Sequence, residues 1–175
     1  MADPLRDQDF EQVPVGSFTP NACSPDVLSD HEFRGIRLNA PTQVLYDSES
    51  RDRIHQTFAR VLVSGAYHLD SSYLDLREQF MPRVLLVAVD ASTHEARAEH
   101  FETVPNAIEV ESPLDALRLG PADLEGRSII EYFNVDLVRV LSLPEAEADY
   151  LVYAALGGYV SNVVRISVQK RGKRR

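Results

Sequence analysis

Between residues 129 and 143 the chain alternates. Ile129, Phe133, Val135, Leu137, Leu141 and Leu143 are apolar in one phase, while Asn134, Asp136 and Ser142 fall in the other. Successive side chains of a strand point to opposite faces, so a period of two describes a strand with one face in a core and one in water. A helix would space its apolar residues three and four apart. Six of the eight in-phase positions are apolar. A segment of this kind needs partner strands, and the rest of the chain supplies them.

Residues 33–38 place Ile36 and Leu38 on one side, and Pro41 separates them from a second short run, 42–46. Proline lacks the ladder donor, so a proline-split first strand suits the edge of a sheet. Residues 54–69 form a longer run whose apolar phase shifts between Phe58 and Val61, which predicts a bulge or bend near Arg60. Residues 83–90 are a continuous apolar run of strand length, the pattern of a strand buried on both faces. Residues 95–104 alternate weakly and read as an exposed strand. Residues 150–156 are apolar on both faces, Gly157-Gly158 turns the chain, and the strand that follows points Val160, Val164, Ile166 and Val168 inward and Ser161, Arg165, Ser167 and Gln169 outward. Two such runs around a Gly-Gly pair form a hairpin. Helix is expected only as short turns, at 73–80 and at 113–119, the latter started by Pro113. About seven or eight strands with so little helix predict an all-β fold: an antiparallel β-sandwich, immunoglobulin-like or a related Greek key.

Three regions follow. Residues 1–30 form an irregular arm broken by Pro4, Pro14, Pro20 and Pro25, with Phe10, Val13, Val15 and Phe18 as apolar anchors for the body or for a partner subunit. Residues 31–169 form the sandwich, and 170–175 a basic tail. A chain of 175 residues that is 44% hydrophobic and 26% charged buries enough surface to fold without a disulfide or metal staple. No run of 18 apolar residues occurs, so no membrane span is expected. Residues 1–7 lack the apolar segment of a secretion signal, and Cys23 is the single cysteine, so the expected compartment is the cytoplasm.

Charge is distributed unevenly. Formal net charge is −9, which disfavours nucleic acid as a general partner. Yet Lys170, Arg171, Lys173, Arg174 and Arg175 are five positive charges in six residues, and all 27 acidic residues precede them. This tail reads as a solvated end, and also as a contact for an acidic surface on a partner, on nucleic acid or on a second copy. The body's arginine-without-lysine usage is what a GC-rich, bacterial-type composition produces and carries no mechanism.

Leu143, the loop 144–149 and Tyr150 together resemble the E–F corner of immunoglobulin and fibronectin type III sandwiches. The resemblance implies that the Tyr150 hydroxyl bonds back to the loop backbone and clamps the crossover. It covers about the last 45 residues, bears on topology and not on function, and departs from the immunoglobulin pattern in lacking the Cys…Trp…Cys set. Here tryptophan is absent.

Few chemistries survive. His31, His55, His68, His94 and His100 contain no H-x-H pair and no HExxH. A blue-copper set fails because Cys23 lies in the arm and Met1 and Met81 are far from the last hairpin. Cys23 has no basic neighbour to activate it. Neither GxSxG nor GxxxxGK[ST] occurs. The acidic loops are the best ligand lead: Asp47, Glu49 and Asp52 after the first strand, and Asp149 with Glu147, are oxygen donors of the kind calcium takes. Tyr153 and Tyr159 combine apolar area with a polar tip, which suits an interface. The leading expectation is therefore a non-catalytic protein-interaction or assembly module without cofactor, binding a protein partner or its own copy through arm and tail. The alternatives are a calcium- or carbohydrate-binding sandwich, and a small pathway-specific enzyme with a site inside the sandwich.

Overall fold

The computed structural model describes residues 5–47, 58–70, 83–103 and 128–171. Pro41 splits the first strand as expected, and its two halves, β1 (Gly35–Asn39) and β2 (Gln43–Tyr46), enter different sheets. β1 pairs with β3 (Leu62–Asp70), which pairs with β6 (Ser128–Asp136), all antiparallel. In the larger sheet β2 lies beside β9 (Val164–Lys170), followed by β7 (Ala148–Leu156), β4 (Arg83–Asp90) and β5 (Ala96–Glu102), with the two-residue β8 (Tyr159–Val160) hairpinned onto β7. The fold is an all-β sandwich. The orders β1-β3-β6 and β4-β7-β9 are those of strands A-B-E and C-F-G in immunoglobulin sandwiches. One pairing departs from the antiparallel expectation: β2 runs parallel to β9, because the chain kinks at Pro41 without reversing.

Inward residues of both sheets form one core, including Leu38, Tyr67, Phe133, Leu86, Val152 and Ile166. Gly65 sits where the Phe133 ring crosses β3, in the space a Cβ would occupy. The main chain after Leu156 turns on Gly157 (φ 55°) and Gly158 (φ 90°), a left-handed pair that glycine adopts without steric cost.

Two local expectations change. β6 stops at Asp136, whose carboxylate accepts from the Val138 amide (3.1 Å) and the Val61 amide (3.2 Å), capping the short helix α2 (Leu137–Leu141). Leu137 and Leu141 still reach the core, from a helix. The bend expected near Arg60 falls at Phe58, just before β3, and within β3 Leu62 to Asp70 match Asp136 to Ser128 one for one. The phase of β3 is blurred as well because Leu62, Ser64, Ala66 and His68, which point away from the core, are buried too. Finally, Val160 faces out (65% exposed) and Ser161 is buried, its amide donating to the Ala154 carbonyl and its hydroxyl accepting from the Ala154 amide. The break at 161–163 between β8 and β9 resets the phase that an unbroken strand would have kept.

The cover over β3 is the N-terminal arm. Beyond the single turn α1 (Asp7–Phe10), it crosses the outer face of the smaller sheet as irregular chain. Phe10, Val13 and Cys23 pack on Leu62 as a second cluster. Asn134 holds the arm: its side chain accepts from Asn21 and from Ser64 (both 2.8 Å) and donates to Ser17 (3.1 Å), while its backbone pairs with Gly16 and Ser17. Phe18 packs against the main core. The anchors thus serve the body.

Candidate functional site

Alternation decides what the larger sheet shows on its outside. Along β4, Val84, Leu86 and Ala88 enter the core, so Leu85, Val87 and Val89 stand on the opposite face. Along β7, Tyr150, Val152, Ala154 and Leu156 enter, so Leu151, Tyr153 and Ala155 stand out. The register brings the two sets together. Leu85 lies opposite Ala155, Val87 opposite Tyr153 and Val89 opposite Leu151, and β5 places Ala98 beside Val87 and Ala96 beside Val89. Val87 is 6% exposed yet belongs to neither core. It therefore marks the middle of an apolar patch on the outside of the sandwich. Leu151 remains 39% exposed, with Val163 exposed nearby. Two ion pairs bound the patch, Arg165–Asp149 (2.7 Å) and Arg83–Glu102 (3.5 Å). An apolar, aromatic centre inside a polar rim is the anatomy of a protein–protein contact.

The residues singled out from sequence fall as follows. Tyr153 is in this patch. Tyr159 packs against the main core beside Gly35. Asp149 is held by Ser167 and Arg165, whose hydrogen bonds lower its pKa below the ordinary carboxylate value. Asp47 pairs with Arg171 (3.4 Å). Glu49 and Asp52 lie outside the described residues. Among the described residues no group of three or more His, Cys, Asp or Glu side chains gathers as a metal site. Of the tail, Lys170 ends β9 with its amide on the Glu147 carboxylate (2.8 Å), and the Arg171 amide donates to the Tyr46 carbonyl. Lys173, Arg174 and Arg175 lie outside the described residues, as do the helical turns expected at 73–80 and 113–119. Tyr150 is buried in the core as expected, but its hydroxyl makes no hydrogen bond among the described residues, and burial raises its pKa. The loop backbone 144–149 does not take the Tyr150 hydroxyl, so the corner clamp is not formed among the described residues.

A groove of about 920 Å³ opens between α1, β2 and residues 58–62. Its arginines already have oxygen partners: Arg6 on Asp9, Arg60 on the Val13 carbonyl and Arg171 on Asp47. Asp47 and Phe58, which flank the stretch 48–57, both stand in its wall. This is where that stretch leaves and rejoins the described body.

Sequence reasoning passed over Val87, Leu85 and Leu151, since a run apolar on both faces looks like a strand covered on both faces. It also passed over Glu131. That residue is in the inward phase of β6, is 1% exposed, and faces Tyr67, whose hydroxyl shares a 2.8 Å hydrogen bond with Thr103. Burial raises the Tyr67 pKa, and the Glu131 charge adds to the shift. A charged residue in an apolar phase was the available signal. None of the three lines the groove.

No described helix is long and apolar enough to cross a membrane. No family model, curated protein or solved structure matches the chain.

Proposed function

We propose that this chain is a non-catalytic protein-interaction module, and that its contact surface is the outer face of the β2-β9-β7-β4-β5 sheet. The observation that carries this reading is Val87, buried on the outside of the molecule at the centre of Leu85, Val89, Leu151 and Tyr153. The occupant is a folded protein with an apolar surface that accepts the Tyr153 ring. The rim charges are already paired, so they favour a neutral partner surface over a polyanion. The described arm is engaged by the smaller sheet and by the β2 edge of the larger one, so the proposed contact on the outer face of β4 and β7 does not call on it.

The test takes a stoichiometric partner of the full-length protein, purified separately, and compares its affinity for wild type, Leu151→Asp and Tyr153→Glu. A loss of about tenfold or more in each variant, with unchanged melting temperature, supports the face as the contact. Unchanged affinity in both variants would falsify it.

A further inference from the structure

Among the described residues the two sheets have four edge strands, and three of them carry a cap from outside the sheet. At β1, the Asn162 side chain accepts from the Leu38 amide and donates to the Leu38 carbonyl, both at 2.9 Å, as a neighbouring strand would. At β2, the Asp7 carboxylate takes the amides of Thr42 (2.6 Å) and Gln43 (3.1 Å). At β6, the arm pairs with Asn134 through Gly16 and Ser17. Natural sheets close edges in such ways because unpaired backbone groups recruit other strands.

β5 is different. It has seven residues, no proline and an unbroken register with β4, and Ala96 to His100 are all exposed. The direction of its free groups follows from the turn before it. Asp90 donates to the Glu95 carbonyl and Ala91 to the Asp149 carbonyl, so even-numbered residues of β4 face β5 and odd-numbered ones face β7. In β5, then, Arg97, Glu99 and Phe101 exchange hydrogen bonds with β4, whereas the backbone groups of Ala96, Ala98 and His100 point away. One of these, the His100 amide, is held by the carboxylate of Glu99 at 3.1 Å. Among the described residues nothing pairs with the others.

We propose that the chain forms a two-fold dimer in which β5 pairs antiparallel with β5 of a second copy, with the axis at Ala98. Charge selects this register. Ala98 meets Ala98, Ala96 meets His100, and Arg97 meets Glu99 twice, at non-hydrogen-bonded positions where Cα atoms approach to about 4.5 Å. An axis at Glu99 would set Glu99 against its own copy, and an axis at Arg97 would set Arg97 against its own. Glu99 leaves the His100 amide for Arg97 of the second copy, and that amide passes to the facing Ala96 carbonyl. Both larger sheets become one, with their apolar outer faces side by side. This inference stands on the edge and does not depend on what binds the face.

Sedimentation of the purified full-length chain over a concentration series tests it. Wild type is expected to show a monomer–dimer equilibrium. Ala98→Pro removes one outward amide and none that bonds β4, so this variant should keep its melting temperature and be monomeric. Arg97→Glu and Glu99→Arg each place like charges opposite at two positions and should weaken the dimer by about tenfold or more. Arg97→Glu combined with Glu99→Arg restores opposite charges and should restore the dimer, a rescue that separates pairing from misfolding should Ala98→Pro not fold. A wild-type chain that stays monomeric throughout overturns the proposal, and so does a dimer indifferent to both single reversals. Leu151 and Tyr153 are untouched in all these variants, so either failure leaves the outer-face reading where it was.

Discussion

On the smaller sheet, the residues of β3 that point away from the core are Leu62, Ser64, Ala66 and His68, and all four are buried beneath the arm. On the larger sheet, the corresponding outward residues are Leu85, Val87 and Val89 of β4 and Leu151 and Tyr153 of β7, and no described segment crosses them. The strands are similar in apolar content, but the polar chemistry placed among them differs. Beneath the arm sit Ser64 and Asn134, which bond the arm's Asn21, Ser17 and each other. A buried polar group unpaired costs about 1–3 kcal/mol, so such residues hold one cover in one position. Among the described residues the other face has no buried polar hub, and shows apolar side chains inside a paired rim. A covered face is written with residues that specify its cover, and the other with apolar residues inside a paired rim.

The comparison breaks most readily at Asn134. Asn134→Ala removes the side chain that joins β6 to the arm and strands the polar groups of Ser64 and Asn21. The expected loss is about 3 kcal/mol in chemical denaturation; a loss below about 1 kcal/mol would show the arm is held by something else. Phe10→Ala should cost about 2 kcal/mol. This is less than a main-core phenylalanine, because its cluster of buried residues is completed by only Val13, Cys23 and Leu62.

His68 gives the covered face a pH dependence. Burial first, and the Arg34 guanidinium second, lower its pKa below the ordinary imidazole value of 6.5; Asp70 and the Val27 backbone oppose the shift, while His31 adds to it. The unfolded chain then binds the proton more readily than the native one. Stability is therefore intact above that ordinary value and declines as pH falls through it toward the lower native value. Melting temperatures of wild type and His68→Gln between about pH 7 and about pH 5 check this: wild type should lose more on acidification. A parallel decline in both would assign the effect to other groups.

Smaller effects belong to the larger sheet. Tyr150→Phe deletes a buried hydroxyl that has no hydrogen-bond partner among the described residues. Stability should stay within about 0.5 kcal/mol or rise, whereas a corner clamp would cost about 1 kcal/mol or more. Leu151→Ser on its outer face should also stay within about 0.5 kcal/mol. A larger loss would mean that Leu151 is covered within the monomer, and the contrast between the two faces would fall.

Much of the scaffold was legible. Alternating and continuous apolar runs marked the strands other than the two-residue β8, Pro41 split the first, and Gly157-Gly158 turned the last hairpin. The site was legible only in part. Tyr153 stood out as a tyrosine near the final hairpin, but Val87 sat in a run whose apolar residues look alike on both sides. Asn134 and Asp136, polar in an outward phase, looked wet. One is buried under the arm and the other caps a helix. The end of β6 was hidden because Leu137 and Leu141 suit either a strand or a helix that returns them to the core.

The sequence by itself determined the all-β class, the order of strands along the chain and the break at Pro41, because alternation, proline and glycine act on near neighbours. Tertiary structure decided which outer face the arm covers. That choice rests on contacts such as Asn21 to Asn134, 113 residues apart, and on a pairing, β2 with β9, between opposite ends of the chain. A strand's own residues distinguish its two faces only when one of them is wet. When both carry apolar side chains, the difference lies in what the remainder of the chain places over them.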